Sequence, residues 1–366
     1  MNKYDVAAYV WPSYTGDELR TRIFWPEGNG EWQTVKNAVA KFKGHSWPRK
    51  PLWGYVNEAD SKVMEKQIDE AFKHGVNVFI YDWYWYDKRP FLENCLNDGY
   101  LKAKNNDKVK FYLMWANHSA NYLWDVRNSH IESIIWDGAI DKKEFEIIFK
   151  RLINKYFKHS SYYKINDKPV FMIFDVETLI RGLGGIKQTA GAFKWVRQLA
   201  MTEGFAGVHF QLALRNDTDF TQYKKSNNEV YTLKDVIEEI GFDSLTHYQF
   251  NMFTDIDRDY NEIVKDAVRE WDKINREYKI PYYPHISLGW DNNPRFKEFI
   301  PGIIKNNTPE NIEKAFIKAK EYVDNHPKQN PLITINSWNE WTETSYLQPD
   351  DLYGYGYLKA AKKIFK

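Results

Sequence analysis

The segment HGVNVFIY, residues 74–81, shows how this chain passes from helix to strand. A helical pattern of apolar residues over 60–73 runs into His74-Gly75, and glycine suits the left-handed conformation that ends many helices. The apolar run from Val76 to Tyr81 follows at once. Near-continuous apolar strands are typical of parallel sheets that are buried on both faces. The segment therefore predicts a helix that leads directly into a buried parallel strand.

The same alternation extends over the whole chain. The runs that predict strands are 4–10, 76–81, 109–115, 169–174, 206–212, 244–248, 282–288 and 332–336. Helical periodicity occupies 60–73, 91–104, 142–157, 188–202, 233–240, 260–278, 309–325 and the segment from 356. Eight such units predict an α/β protein, a single (β/α)8 TIM barrel with long βα loops that forms one catalytic domain over 1–366. Loops 11–58 and 116–141 are expected above the barrel, and a doubly wound open sheet is the alternative.

Composition narrows the possible partners. The formal net charge is +1 with both signs interspersed, which argues against a nucleic-acid surface. No apolar stretch reaches the roughly 20 residues of a membrane span. Because no signal peptide is recognisable, the chain as given is expected to be cytoplasmic, or periplasmic or secreted if a signal was trimmed. No protein partner is predicted, and the single cysteine, Cys95, excludes an internal disulfide.

Neither a metal nor a cofactor is predicted. His118, His247 and His285 are scattered along the chain, and their assembly into a metal site is the weaker alternative. The glycines that follow Arg181, in RGLGGI, lack the spacing and the acidic residue of a dinucleotide site, so this segment is predicted to be a loop.

Aromatic and polar side chains occur together at the predicted carboxyl ends of the strands, where TIM barrels carry their active sites. Aromatic residues make up 17% of the chain, which fits either an aromatic-rich barrel core or a cleft lined with rings that stack on sugars. Aromatic rings beside amides and carboxylates suit a polyhydroxylated substrate, so we predict a polysaccharide or oligosaccharide ligand. The predicted substrate-binding residues are Tyr9, Tyr81, Asp82, Tyr84, Trp85, Trp115, Asn117, Asp175, Tyr248, Trp290, Asp291, Asn336, Trp338, Asn339 and Tyr346. Helix capping is the alternative for Asp82 and Asp175.

The last predicted strand is followed by the pair that we predict to be catalytic, Glu340 and Glu343. If the segment turns helically, their spacing places both carboxylates on one side of it. Two close carboxylates can be separated in pKa, so that one acts as an acid and the other as a base or nucleophile. The neighbouring indoles of Trp338 and Trp341 would lower local solvation. Solvated loop acids are the alternative, and Glu177 is a possible third carboxylate.

The stretch SWNEWTETSYLQPD, residues 337–350, resembles the C-terminal signature of glycoside hydrolase family 99-like proteins, closest to their WbsX-type branch. YGYGYL at 353–358 and GVNVFIYDWYWY at 75–86 are similar to the same branch. The resemblance implies a (β/α)8 barrel that cleaves α-mannosidic bonds within a chain and needs no metal. It also implies that Glu340 assists attack by the 2-hydroxyl of the substrate, giving a 1,2-anhydro sugar, and that Glu343 is the acid and then the base.

Two positions depart from that signature. Thr344 stands where the family usually has glycine, and Gln348 stands where it has glutamate. Both departures bear on the identity of the substrate more than on the catalytic pair. The leading hypothesis is a retaining hydrolase that acts within an α-linked, mannan-like glycan. The alternatives are a WbsX-type glycosyltransferase of surface-polysaccharide biosynthesis and a non-catalytic carbohydrate-binding barrel.

Overall fold

The computed structural model describes residues 3–16 and 18–366. Within these residues eight parallel strands form a barrel. In chain order they are β1 Asp5–Val10, β2 Val78–Tyr86, β3 Lys110–Trp115, β4 Lys168–Ile173, β5 His209–Ala213, β6 Ser244–Thr246, β7 His285–Ser287 and β8 Leu332–Asn336. Each strand pairs with its neighbour in sequence from β1 to β6, and β1 also pairs with β8, which pairs with β7. A single bridge between Leu245 and Tyr282 closes the ring between β6 and β7. The predicted TIM barrel is confirmed.

Helices surround the barrel. They are α1 Trp32–Asn37, α2 Ser61–Lys73, α3 Lys142–Leu152, α4 Val176–Leu183, α5 Ile186–Thr202, α6 Leu233–Ile240, α7 Tyr260–Glu277, α8 Pro309–Asp324 and α9 Gly356–Phe365. The predicted helix 91–104 is wrong in extent, because only the π-helical turn Cys95–Tyr100 forms there. A second π-helical turn, Ile153–Phe157, continues α3. In the described part of the chain, no helix has both the length and the apolar character needed to cross a membrane.

Helix α4 corrects the predicted loop at 181–186. Asp175 accepts a hydrogen bond from the backbone N–H of Thr178 and so caps the start of the helix. Arg181 lies in its last turn, and Gly184 ends it in the left-handed conformation, with φ of +85°. The glycines of this segment therefore separate α4 from α5, and Asp175 caps α4, which was the alternative for this residue.

Strand β2 is longer than the sequence predicted. It continues to Tyr86 and pairs antiparallel with the short strand Arg89–Phe91, through a turn in which Asp87 and Lys88 have positive φ. Side chains alternate along a strand, so residues 82 and 84 share one face and residues 81, 83 and 85 share the other. Asp82 and Tyr84 line the cavity inside the top of the barrel, whereas Tyr81 packs outward against Tyr100 and Phe111.

Candidate active site

A cavity of about 140 Å³ opens at the carboxyl ends of the barrel strands. Its wall combines aromatic rings with charged and amide side chains. The lining residues include Trp11, Asp82, Tyr84, His118, Trp124, Phe174, Tyr248, Gln249, Trp290, Arg295, Glu340 and Glu343. The rings of Trp11 and Trp124 come from the two long loops after β1 and β3, with centroids 5.2 Å apart. These loops therefore lie over the barrel and complete the cavity.

One guanidinium organises the acidic centre. Arg295 Nη2 lies 2.6 Å from Glu340 Oε1, and its Nη1 lies 2.8 Å from Glu343 Oε1. Its Nε donates to Glu31 Oε1 at 3.0 Å, and the other oxygen of Glu31 accepts from the indole of Trp11. All four charged side chains are buried. We call Arg295, Glu31, Glu340 and Glu343 the arginine cluster.

The surroundings of the two predicted catalytic glutamates favour the protonated form of each carboxyl. Burial raises the pKa of both carboxyls, and the charge of Arg295 opposes that rise. Glu343 Oε2 has no hydrogen-bond partner among the described residues, and the Glu343 side chain is 12% exposed against 2% for Glu340. Each carboxyl is thus held to Arg295 through one oxygen, and the Glu343 side chain is the more exposed of the two.

Asp82 provides a third carboxyl at the cavity wall. Burial raises its pKa well above the ordinary range, and the nearby charge of Glu343 adds to that rise. The hydroxyl of Tyr248 donates to Asp82 Oδ2 at 3.3 Å, and Oδ1 has no partner in the described part of the structure. Asp82 is therefore suited to accept a ligand hydroxyl or, when protonated, to donate to one.

The loop 337–348, which we call the signature loop, is fixed by its own short hydrogen bonds. Ser337 Oγ accepts the N–H of Glu340 and donates to the carbonyl of Ser345, both at 2.6 Å. Trp341–Glu343 form one 3-10 turn, which ends at Thr344 in the left-handed conformation, with φ of 57°. The family glycine at this position is thus replaced by a threonine with a glycine-like backbone. Its hydroxyl donates to the Asp291 carbonyl and accepts from the Trp47 indole, both at 3.1 Å.

The opposite side of the signature loop is held by a buried carboxylate. Glu58 accepts hydrogen bonds from the amide groups of Gln67, Gln348 and Asn339, at 2.8–2.9 Å. The indole of Trp338 donates to Gln67 Oε1 and that of Trp341 to Gln348 Oε1. Because each indole occupies an amide oxygen, both NH2 groups must face Glu58. We call Glu58, Gln67, Asn339 and Gln348 the amide cluster. Gln348 binds Glu58, and a glutamate there would place two carboxylates in contact.

Six of the predicted site residues line the cavity, namely Asp82, Tyr84, Tyr248, Trp290, Glu340 and Glu343. Four predicted substrate-binding aromatics lie instead between the barrel and its helices: Tyr81, Trp85, Trp115 and Trp338. The strand alternation explains three of them, and the fourth faces Gln67 on α2. Their rings pack within the protein, and none of the four lines the cavity.

The other predicted residues make buried hydrogen bonds within the protein. Tyr9 donates to the His247 carbonyl, and Asn117 bridges the backbone N–H and C=O of Asp175. Asn339 clamps the backbone of Trp11. The remaining three make buried polar contacts: Asn336 with Gln249, Tyr346 with Asp350, and Asp291 with His45. Asp291 lines a neighbouring cavity, and none of these predicted residues lines the cavity of the arginine cluster.

Several important residues were not predicted. Arg295 follows β7 in DNNPR, a segment with no recognised motif, and Glu31 lies in the first long loop. His118 lines the cavity rather than a metal site, while His285 bonds to Thr334 and Ser287. Among the described residues, no group of three or more His, Cys, Asp or Glu side chains is placed to hold a metal ion.

Fold and site together define a (β/α)8 barrel with a buried acidic centre and an aromatic wall. The sequence model described as "Glycosyltransferase WbsX" matches residues 7–361, and the chain therefore belongs to the WbsX family. The uncharacterized protein WxcX of two Xanthomonas campestris pv. campestris strains, ATCC 33913 and B100, is 24% identical over 354 residues. That match covers 93% of this chain but 46% of WxcX, so the chain spans less than half the length of these relatives.

Solved structures share the fold. A GH99 endo-alpha-mannosidase from Bacteroides thetaiotaomicron superposes with a TM-score of 0.62 at 13% identity, covering 98% of this chain and 96% of that chain. A glycoside hydrolase-like protein superposes with a TM-score of 0.60 at 14% identity, covering 100% and 95%. At these identities the likeness is one of fold.

Proposed function

We propose that this protein is a retaining glycoside hydrolase that cleaves an α-linked, mannan-like polysaccharide or oligosaccharide. The observation that carries the proposal is the pairing of Glu340 and Glu343 on one guanidinium at the cavity wall. Two carboxyls with raised pKa in one buried site can share a proton, so that one serves as acid and the other as base. The fold shared with an endo-alpha-mannosidase supports this class of substrate.

The chemistry requires two steps. In the first, the 2-hydroxyl gives its proton to Glu340 while its oxygen attacks C1, and the leaving oxygen departs from C1 with a proton from Glu343. In the second, water attacks C1 and gives its proton to Glu343, while the 2-oxygen leaves C1 and regains its proton from Glu340. Both carboxyls end as they began. The greater exposure of the Glu343 side chain, 12% against 2% for Glu340, supports its assignment as the acid.

The cavity wall favours a sugar. Tyr84, Tyr248, Trp124 and Trp290 present ring surface, which stacks on the C–H faces of pyranoses, and Asp82 and Gln249 supply hydrogen-bonding groups. Together they would hold one sugar unit beside Glu343.

The charge of the cavity disfavours a nucleotide-sugar donor. Its lining, as described, contains one basic side chain other than histidine, Arg295, and that side chain is already paired with three carboxylates. A diphosphate needs free cationic or N–H groups, and the excess of carboxylates would repel it. The family description as glycosyltransferases is the reason to test transfer beside hydrolysis.

A polysaccharide screen tests the proposal. Wild-type protein, Glu340→Gln and Glu343→Gln are incubated with α-mannans and other α-linked glycans, and the products are separated by chromatography. We expect release by the wild type and a loss of about a hundredfold or more in either variant. Glu177→Gln is the matched control, because Glu177 lies outside the cavity and accepts from Asp219 N–H. Undiminished release by both variants, or transfer from a nucleotide sugar without hydrolysis, would overturn the proposal.

A further inference from the structure

A second cavity of about 390 Å³ lies directly beside the catalytic one. Trp290 lines both, so one indole forms a wall between them. The second cavity is formed by the loop that contains Phe42 and His45 and by the loop 299–307. A ligand that extends past Trp290 from the catalytic cavity would enter this space.

The rim of the second cavity presents aromatic surface to solvent. Phe42 is 47% exposed and Phe299 50% exposed, and their rings meet at 90° with centroids 5.6 Å apart. Core packing does not account for two phenylalanines that keep about half of their surface in water. Exposed rings that line a cavity are characteristic of a binding surface.

The rim is also held rigidly. The ring of His45 stacks on Phe42, with centroids 4.7 Å apart. Its Nδ1 accepts from the N–H of Lys41, and its Nε2 donates to Asp291 at 2.6 Å. The ammonium of Lys41 joins this loop to the carbonyls of Phe296 and Lys297, at 2.6 and 2.9 Å. Ile304 N–H donates to the carbonyl of Trp290 at 2.9 Å. The rings are therefore positioned before any ligand arrives, which lowers the entropic cost of binding.

The polar groups of the second cavity favour a neutral, hydroxylated ligand. Its charged side chains already have partners: Lys305 pairs with Asp257 at 2.8 Å and Arg49 with Asp350 at 3.8 Å, while Asp291 accepts from His45 at 2.6 Å. Ser46 and Asn307 add uncharged hydrogen-bonding groups to the lining. Rings combined with hydroxyl and amide groups match the alternating faces and hydroxyls of a pyranose.

Resting on the function proposed above, we infer that the second cavity binds a further pyranose unit of the substrate chain, stacked on Phe42 and Phe299. The preferred substrate is then an oligosaccharide or polysaccharide that continues past Trp290, rather than a disaccharide. The site fixes the minimum length of a good substrate, and the two rings determine that preference.

The test uses α-mannan oligosaccharides of increasing length with the wild type and a Phe42→Ala/Phe299→Ala double variant. We expect kcat/KM of the variant to be unchanged on the disaccharide and to fall about tenfold on long oligosaccharides, mainly through KM, as for the loss of about 1.4 kcal/mol of binding. Phe72→Ala is the matched control. Phe72 is 37% exposed and lies near the end of α2, at the opposite face of the barrel.

Affinity measured in the inactive Glu343→Gln background separates this inference from the proposed function. Binding that strengthens with oligosaccharide length, and loses that gain in the double variant, supports the second site even if the wild type proves not to be a hydrolase. Equal affinity for short and long oligosaccharides, equal losses on both in the double variant, or no binding of any oligosaccharide would overturn it. Failure of the proposed function is a different result, namely no product from any glycan.

Discussion

The two sides of the signature loop, residues 337–348, are held by buried carboxylates in two different ways. On one side the arginine cluster places three carboxylates around the guanidinium of Arg295. On the other side Glu58 is surrounded by amides of the amide cluster, and no Lys or Arg within the described residues bonds to it. The same loop thus contributes Glu340 and Glu343 to one cluster and Asn339 and Gln348 to the other.

The two arrangements suit different roles: the arginine cluster suits proton exchange, and the amide cluster suits support of the loop. In the arginine cluster, Glu340 and Glu343 each use one carboxylate oxygen on the guanidinium, and both residues line the cavity. In the amide cluster, Gln67 and Gln348, which neighbouring indoles orient, occupy Oε1 of Glu58, and Asn339 occupies Oε2. A group that must exchange protons needs the first arrangement, whereas a group that only fixes a loop is better served by the second. Under the proposed function, the signature loop therefore contains residues of both kinds.

Arg295→Met should give the largest effect, because it leaves three carboxylates buried without a counter-charge. We expect the free energy of unfolding to fall by about 3–5 kcal/mol near neutral pH, with loss of activity. Part of the loss should be recovered near pH 5, because protonation removes the unpaired charges. Urea unfolding at both pH values measures this change in the free energy of unfolding. Arg295→Lys, which keeps the charge, should lose less stability. An unchanged stability would show that the cluster does not depend on its cation.

The surroundings of Glu58 predict that the stability of the protein depends on pH. Burial raises the pKa of Glu58 to about 7, against the opposing effect of its amide donors. Since an unfolded glutamate titrates near 4.3, the stabilising contribution of the neutral form is complete below about 4.3 and is lost as the pH rises through about 7. The difference corresponds to about 4 kcal/mol. Unfolding of wild type and Glu58→Gln, followed from about pH 4 to about pH 8, should show the wild type losing this amount relative to the variant. Parallel curves would contradict the assignment.

Trp338→Phe separates packing from substrate binding. The ring contact with Phe79 would be retained, but the indole hydrogen bond to Gln67 would be lost, so we expect a loss of stability of about 1 kcal/mol. The affinity for oligosaccharides should not change, because Trp338 lies outside the cavity. Trp290→Ala, at the cavity wall, should weaken binding with less effect on stability. A reversed pattern in these two variants would return Trp338 to the substrate site.

The barrel could be predicted from the sequence because parallel strands buried on both faces read as apolar runs, and β8 has the same bounds as the predicted strand. The positions of aromatic residues near strand ends could not be predicted with the same accuracy. Strand β2 continues five residues beyond the predicted end at Tyr81, and each residue of a strand alternates in direction. Proximity to a strand end therefore predicts the correct face only when the register is known.

The ion pairs of Arg295 could not be predicted from the sequence for a different reason. Arg295 lies 45 residues before Glu340 and 264 after Glu31 in sequence, so no local pattern connects them. The spacing of Glu340 and Glu343 was informative because a single turn brings them to the same guanidinium. Likewise, the hydrogen bond from the Gln348 amide to Glu58 could not be predicted, because the two residues lie 290 positions apart in sequence.

Thr344, where the signature loop passes from one cluster to the other, gives the smallest and sharpest prediction. Its left-handed backbone costs a residue with a Cβ about 1–2 kcal/mol. Thr344→Ala and Thr344→Gly both remove its hydroxyl bonds to Asp291 and Trp47, but only glycine relieves the backbone. After the larger entropy loss of glycine, the Gly variant should be more stable than the Ala variant by roughly 0.5–1 kcal/mol in thermal or urea unfolding. An Ala variant as stable as the Gly variant would contradict the cost assigned to the left-handed backbone.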